Sequence, residues 1–379
     1  MQPTVLEHPR FRVIPRPSNK LVVFFSGSTT PDHVFRWWKA AQRTEASAIL
    51  VNNGPNEWYQ RGIEGLGGSV DEVVDTIRKW ADHLGATRLY TVGTSMGGAG
   101  ALLYGAKLGA NVLAFAAETR LDFPHGNVRR LMSKEFTPEY PDLRPLVESA
   151  AGYITLISGE SEPVDLVSAA SLTGIPRVNV VSLKKVTHGP PNYLKARKRL
   201  IPLVDAFLAD QRLPDFEEEG MGAHTKGFPE ALYAAYCSDR EKRHTDTAKH
   251  AAEALSLYPE SELAMALLGK SLMLQGRATV ALPLLRDATR LHSKAENRFL
   301  YGTCLLKVGR RSDAATTFKK MIEKYPDNAE GYYGLASVYA DAASYKSAVS
   351  MMKKAIKHAP HRISFNKKLD QYMSLLTQS

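Results

Sequence analysis

The first 210 residues of this chain alternate short apolar runs with stretches whose apolar residues have helical spacing. Runs such as 21–25 contain no alternating polar residues, which is typical of strands buried on both faces of a sheet. Alternating strands and helices predict a mostly parallel, doubly wound α/β sheet. The predicted strands are 11–15, 21–26, 47–52, 88–93, 111–117, 153–158 and 177–183. The predicted helices are 31–44, 70–85, 96–109, 165–173 and 191–209.

After residue 210 the strand signal ends. The segment 211–228 contains Pro214, an acidic run at 217–219 and three glycines at 220, 222 and 227, which together predict a linker. From residue 229 to the end of the chain, small and large apolar residues recur about every 34 residues. The sequence therefore predicts two domains, 1–210 and 229–379, joined by this linker.

The clearest repeating unit is 329–362, which resembles the tetratricopeptide (TPR) pattern of two antiparallel helices. The residues at its consensus positions are Tyr332, Leu335, Ala336, Tyr339, Ala343, Ala348, Met352, Ala355 and Pro360. Earlier units carry the same pattern more weakly. We therefore predict an all-α TPR solenoid over 229–379, in which 363–379 forms a C-terminal capping helix. The concave face of such an array is expected to bind a protein or peptide partner.

The composition, 44% hydrophobic and 23% charged residues, is typical of a globular protein. No segment approaches the roughly 20 apolar residues of a transmembrane helix, and the first residues do not resemble a secretory signal. The only cysteines, Cys237 and Cys304, lie in predicted helices and indicate no disulfide framework. These features predict a cytoplasmic protein.

The formal net charge of +10 is spread over both halves of the chain. No basic and aromatic motif typical of nucleic-acid binding is present, so we expect no nucleic-acid partner. The charge leaves open attraction to an anionic substrate or peripheral association with a membrane.

A motif with catalytic chemistry follows the predicted strand 88–93. Residues 93–97 are Gly-Thr-Ser-Met-Gly, a G-x-S-x-G pattern between a strand and a helix. The two glycines let the chain turn sharply and remove side chains that would clash with neighbouring elements. The turn presents the Ser95 hydroxyl at a helix N-terminus, where a developing oxyanion is favoured. This motif resembles the nucleophile elbow of the α/β-hydrolase fold, so Ser95 is the predicted nucleophile.

A serine nucleophile needs a base, and the base needs an orienting acid. His188 lies in the loop after the last predicted strand. The α/β-hydrolase fold has its catalytic histidine in this loop, and the histidine follows the acid along the chain. The predicted acid is Glu162, in the turn after strand 153–158. Asp165 is the second choice, and Glu160 in the same turn is a weaker one. The sequence leaves the choice between Glu162 and Asp165 open.

Two backbone N–H groups are expected to stabilise the oxyanion. One is that of Met96, directly after the nucleophile, and the other is that of Gly27 or Ser28, in the loop after strand 21–26. The proline-interrupted stretch 119–150 is a candidate lid over Ser95. The candidate substrate-binding residues follow strand 47–52 and are Trp58, Tyr59 and Arg61. No motif for a metal or a bound cofactor is visible, and we predict neither.

Residues 1–210 resemble a compact α/β-hydrolase. The residues at 53, 58–59, 62, 93–98 and 114–116 are similar to those of hydrolase-fold proteins associated with bacterial surface polysaccharides, which include capsule O-acetyltransferases. This resemblance implies that Ser95 forms an acyl-enzyme, that Glu162 holds His188, and that the Met96 N–H binds the oxyanion.

The predicted function is therefore that of an enzyme, a serine esterase acting on an acyl ester such as an acylated polysaccharide or its precursor. The first alternative is an O-acetyltransferase with the same triad, which would use acetyl-CoA as co-substrate and a saccharide as acceptor. The second is a catalytically silent TPR adaptor or scaffold. Neither the acyl group nor the TPR partner follows from the sequence.

Overall fold

The computed structural model describes residues 6–54 and 56–378. The chain forms two compact units, one up to Tyr233 and one from Ala234 onward. The division falls inside a helix, Phe228–Arg240, and not in the predicted linker.

A nine-stranded mixed sheet forms the centre of the first unit, within the part of the chain that the structure describes. Six neighbouring strands are parallel, and antiparallel strands lie at both edges. In sheet order the strands are β1, β2, β4, β3, β5, β6, β7, β8 and β9. Their bounds are β1 Leu6–Glu7, β2 Phe11–Ile14, β3 Lys20–Phe25, β4 Ser47–Val51, β5 Arg88–Thr94, β6 Asn111–Phe115, β7 Ile154–Gly159, β8 Val178–Leu183 and β9 Glu219–Gly220.

The register of the parallel strands brings their carboxyl ends to one edge of the sheet. Phe25 at the end of β3 pairs with Gly93 of β5, and Thr94 pairs with Phe115 at the end of β6. Gly159 at the end of β7 pairs with Leu183 at the end of β8. The loops after β3, β5, β7 and β8 therefore begin at the same edge, where ligands bind in sheets of this kind.

Eight helices connect the described strands of this unit. Two helix predictions are corrected. The predicted helix 191–209 is two helices, because Lys198 has a positive φ of 57° that ends the first one. The predicted helix 31–44 is helical only over its last part. The helices are α1 Trp38–Arg43, α2 Val70–His83, α3 Met96–Leu108, α4 Asn127–Leu131, α5 Arg144–Glu148, α6 Pro163–Ala170, α7 Pro190–Ala196 and α8 Leu200–Leu208.

The segment predicted as a linker, 211–228, belongs to the first unit. It supplies β9, which pairs with β8, and a short 3-10 turn over Gly222–His224. The buried Glu160 carboxylate accepts hydrogen bonds from the Ser182 hydroxyl (2.8 Å) and the Gly222 N–H (2.7 Å). A Cβ at Gly220 would come within 2.2 Å of that carboxylate. The prediction of a linker is therefore wrong, since its glycines pack closely against a buried acid.

The second unit is an all-α TPR solenoid, as the repeat pattern predicts. Phe318 fills the space between successive repeats, where a Cβ at Gly302 or Gly334 would come within 2.7 or 2.2 Å of its ring. The last helix buries Phe365 and Tyr372 and exposes Ile363. The helices from the unit boundary onward are α9 Phe228–Arg240, α10 His244–Leu257, α11 Glu262–Leu274, α12 Ala278–Leu291, α13 Ala295–Lys307, α14 Arg311–Lys324, α15 Ala329–Asp341, α16 Tyr345–His358 and α17 Ile363–Gln378.

Across the described residues, none of these helices combines the length and the apolar character that crossing a bilayer requires.

Candidate active site

Ser95 lies at a strained turn between β5 and α3. Its φ of 56° and ψ of −123° are rarely adopted by residues other than glycine. A Cβ at Gly93 would come within 1.9 Å of the Gly97 carbonyl, and one at Gly97 within 2.3 Å of the Phe25 carbonyl in β3. The Ser95 N–H donates to the carbonyl of Phe115 (2.8 Å). Both glycines are therefore required, because the turn passes directly over the neighbouring strands.

His188 lies in the loop between β8 and α7, with its Nε2 2.8 Å from the Ser95 Oγ. Its Nδ1 lies 2.8 and 3.0 Å from the two carboxylate oxygens of Asp165, which is fully buried in the first turn of α6. A carboxylate only accepts hydrogen bonds, so Nδ1 carries a proton, and in the neutral imidazole Nε2 then offers its lone pair to the serine hydroxyl. The three side chains form a connected chain from nucleophile to base to acid.

The first choice of acid, Glu162, is corrected by this geometry. Helix α6 begins at Pro163, so Asp165 lies inside its first turn, whereas Glu162 is the extended residue before the helix. The signal was present in the sequence, because proline is favoured at the first position of a helix. A helix beginning at Pro163 places the Asp165 side chain at the carboxyl edge of the sheet. Glu162 still contributes negative charge near His188.

The charges around the imidazole favour its protonated form. Burial lowers the pKa of His188, but the hydrogen bond and charge of Asp165, with the charges of Glu162 and Glu118, outweigh burial and raise that pKa to about 9. Burial raises the pKa of Asp165, and its bond to His188 opposes the rise. This arrangement stabilises the imidazolium that forms when a serine proton is transferred.

A buried carboxylate holds a short helix beside the imidazole. Glu118, three residues after β6, accepts hydrogen bonds from the backbone N–H of Asn127 (2.7 Å) and of Val128 (3.3 Å) at the start of α4. The Asn127 side-chain nitrogen lies 3.4 Å from the His188 Nε2. Burial and then the charge of Asp165 raise the pKa of Glu118. Sequence reasoning missed Glu118 and Asn127; the only signal was that 127 lies in the candidate lid 119–150.

A cleft of about 480 Å³ lies beside Ser95 and His188. Gly27 and Ser28 line it, in the loop after β3, together with part of α4. Met96 is the first residue of α3, so its N–H has no acceptor within the helix. The role of Met96, Gly27 and Ser28 as oxyanion donors stays a prediction. In 6–54 and 56–378, no group of three or more His, Cys, Asp or Glu side chains is arranged to hold a metal ion.

The predicted substrate-binding residues do not line this cleft. Trp58 and Tyr59 are fully buried, and the Tyr59 hydroxyl donates to the Ser26 carbonyl (2.8 Å). Burial raises the pKa of Tyr59 far above its usual value. Arg61 is exposed and lies over the Phe136 ring, 4.5 Å from its centroid. The aromatic pair therefore fills the core beneath the loop, and its prediction as a binding site is wrong.

Comparisons with known proteins match the second unit. The model of the family "Anaphase-promoting complex, cyclosome, subunit 3" matches residues 241–321, and a model of the tetratricopeptide repeat matches residues 302–362. No curated protein matches the chain. The family models therefore support a TPR domain in the C-terminal part of the chain, which follows the mixed sheet of the first unit.

Several solved structures are similar to part of the chain. MamA from Desulfovibrio magneticus RS-1 is 16% identical, with 42% of this chain and 94% of that chain covered and a TM-score of 0.35. A thermophilic TPR protein of Thermus thermophilus is 16% identical over 48% and 95% of the two chains, with a TM-score of 0.35. YrrB, described as a TPR protein with an unusual peptide-binding site, is 22% identical over 47% and 87%, with a TM-score of 0.34.

Proposed function

We propose that the first unit is a serine hydrolase of the α/β-hydrolase type, which cleaves acyl esters through an acyl-enzyme. The observation that carries this proposal is the hydrogen-bonded chain from the Ser95 Oγ to the His188 Nε2 and from Nδ1 to Asp165. The order Ser, Asp, His along the chain and the strained turn at Ser95 are those of α/β-hydrolases. Strain of this kind is concentrated at functional sites.

The proposed reaction has two steps. His188 accepts the hydroxyl proton as the Ser95 Oγ attacks the ester carbonyl, and the resulting oxyanion accepts hydrogen bonds from the N–H groups of Met96 and of Gly27 or Ser28. The imidazolium, stabilised by Asp165, then gives its proton to the leaving alcohol as the C–O bond breaks. Water attacks the acyl-enzyme with His188 again as base, releasing the acid and restoring the serine.

The same residues serve acyl transfer when a sugar hydroxyl replaces water in the second step. In that alternative the enzyme is an O-acetyltransferase of a surface polysaccharide, with acetyl-CoA as the donor. Product analysis with acyl esters and acyl-CoA, with and without an oligosaccharide, separates the two: free acid indicates hydrolysis and an acylated sugar indicates transfer.

We also propose that the TPR domain binds a protein or peptide partner, as an adaptor or scaffold. The family-model matches, which lie entirely in this unit, favour this function over hydrolysis. A groove of about 430 Å³ crosses α13, α15 and α17, where Lys307, Tyr333, Ser337, Lys368 and Tyr372 offer polar and aromatic contacts. This function does not require catalysis by the first unit.

Labelling of the full-length protein with a fluorophosphonate probe tests the hydrolase proposal. The wild type is expected to be labelled, and Ser95→Ala to lose the label while keeping its circular dichroism spectrum. Ser133→Ala, at an exposed serine outside the cleft, is the matched control and keeps the label. A folded wild type that is not labelled and does not cleave esters would overturn the hydrolase proposal and leave the adaptor function.

A further inference from the structure

We propose that the cleft recognises an anionic group on the leaving alcohol, so that the substrate is an ester whose alcohol carries a carboxylate or a phosphate. This inference rests on the proposed hydrolase function. Three cationic side chains line the cleft beside Ser95, those of Arg36, Arg130 and Lys195. No aspartate or glutamate is among the residues that line it in the described part of the chain.

Two of these cations, Arg130 and Lys195, lie on the side of the cleft where the leaving alcohol is expected. The leaving alcohol must lie next to the imidazole, because His188 donates the proton that the alcohol receives. The Arg130 guanidinium donates to the Asn127 side-chain oxygen, and the nitrogen of the same amide lies 3.4 Å from the His188 Nε2. Lys195 lies on α7, which begins two residues after His188. Arg130 is thus connected to the atom that delivers the proton.

Arg130 and Lys195 are available to bind a ligand. Both side chains are exposed, and neither forms an ion pair with a carboxylate among the described residues. Other arginines of this unit are paired, such as Arg120 with Asp122 at 2.7 Å and Arg197 with Glu218 at 3.3 Å. A guanidinium that has no carboxylate partner is suited to two parallel hydrogen bonds with a carboxylate or phosphate.

The carboxylates near His188 do not oppose this anion from within the cleft. Asp165 and Glu118 are buried and accept hydrogen bonds from the imidazole and from the start of α4, respectively. Glu162 precedes α6 and does not line the cleft. Arg36 lies on the other side, where its Nε donates to the Thr30 hydroxyl (3.2 Å) in the loop of the oxyanion donors. We therefore place Arg36 near the ester carbonyl. Arg130 is the residue that selects for an anionic group on the leaving alcohol.

The test compares two esters with the same acyl group, 4-acetoxybenzoate and its methyl ester, using the full-length protein. Each kcat/KM is divided by the rate constant for hydroxide hydrolysis of the same ester. We expect the wild type to prefer the anionic ester by about tenfold, which corresponds to about 1.4 kcal/mol. Arg130→Gln should reduce the preference to about one. Arg129→Gln, an exposed neighbour on α4 that does not line the cleft, should retain it.

Salt gives a second readout, because screening weakens exposed charge pairs. The preference should fall as the ionic strength rises from about 0.01 to about 1 M. A wild type that prefers the neutral ester, or an Arg130→Gln variant that keeps the full preference, would overturn the inference. Phenyl 4-carboxybenzoate carries its charge on the acyl part. If the enzyme preferred phenyl 4-carboxybenzoate over its methyl ester but did not prefer 4-acetoxybenzoate over its methyl ester, the assignment of the anion to the leaving group would be wrong.

Calorimetry separates this inference from the hydrolase proposal. The full-length Ser95→Ala variant, which cannot turn over, is titrated with 4-hydroxybenzoate and with its methyl ester. We expect the anion to bind more tightly and this difference to disappear when Arg130→Gln is added. Binding without ester turnover in the wild type would contradict the hydrolase proposal and support the anion site. Turnover without an Arg130-dependent difference in binding would support the hydrolase and refute the anion site.

Discussion

The candidate active site joins a nucleophile and a base that are 93 residues apart in the sequence, whereas the packing in the TPR unit joins residues less than one repeat apart. Ser95, Asp165 and His188 meet because β5, β7 and β8 are parallel and end at one edge of the sheet. Phe318 meets Gly302 and Gly334, its close neighbours along the chain. A site built from distant loops depends on single side chains, whereas a repeat array depends on a packing rule that many residues share. The following predictions test this difference.

The largest effect is expected from the buried acid. Asp165→Asn should lower kcat/KM by about 10⁴-fold, because an amide can donate to Nδ1 and so favour the imidazole tautomer that cannot accept the serine proton. Glu162→Gln, at a half-buried position three residues away, is the matched control and should cost only a few-fold, because Glu162 forms no link to Nδ1 in the chain from Ser95 to Asp165. Steady-state ester hydrolysis measures both. A larger loss in Glu162→Gln would restore the acid that the sequence favoured.

An intermediate effect is expected in the TPR unit. Phe318→Ala removes a fully buried ring between repeats and should lower the free energy of unfolding by about 3–5 kcal/mol. Val280→Ala, at a half-exposed position on α12, should change it by less than about 0.5 kcal/mol. Denaturant unfolding followed by far-UV circular dichroism measures both. Equal losses in the two variants would contradict the view that packing between repeats holds this unit together.

The smallest effect concerns the pH dependence of hydrolysis. Neutral His188 is the base, so kcat/KM should rise with pH and fall as pH drops through the pKa of His188, which Asp165 raises to about 9. In Asp165→Asn the residual activity should titrate at a lower pH, since the raising charge is gone and burial lowers the pKa. A pH–rate profile of each protein measures this. If the two proteins had identical pH–rate profiles, Asp165 would not be the residue that raises the pKa of His188.

The sequence predicts those features that neighbouring residues determine. The parallel strands follow from uninterrupted apolar runs, the turn at Ser95 from two glycines and its flanking elements, and the TPR helices from their repetition. The sequence left the acid open between Glu162 and Asp165, because that choice depends on where helix α6 begins. Glu118 was missed because its partners lie about ten residues away on a helix too short to have a pattern of its own.

Burial explains why the prediction of Trp58 and Tyr59 as substrate-binding residues is wrong. Trp58 and Tyr59 follow a strand at the carboxyl edge, where binding residues are expected, but both rings point into the core. An aromatic residue gains more free energy from burial than most others, and sequence position alone does not reveal which way its ring turns. Separating the two cases requires the packing around Phe25 and Gly100, which only the structure supplies.

The strand β9 determines where an expressed fragment of the first unit can end. A fragment that stops the first unit at residue 210 would lack the edge strand and the Gly222 N–H that the Glu160 carboxylate uses. In the truncated fragment the buried Glu160 carboxylate would have fewer hydrogen-bond donors, and the fragment would be prone to misfold. Fragments to express should extend through the 3-10 turn at Gly222–His224 and at least to Tyr233, where the first unit ends.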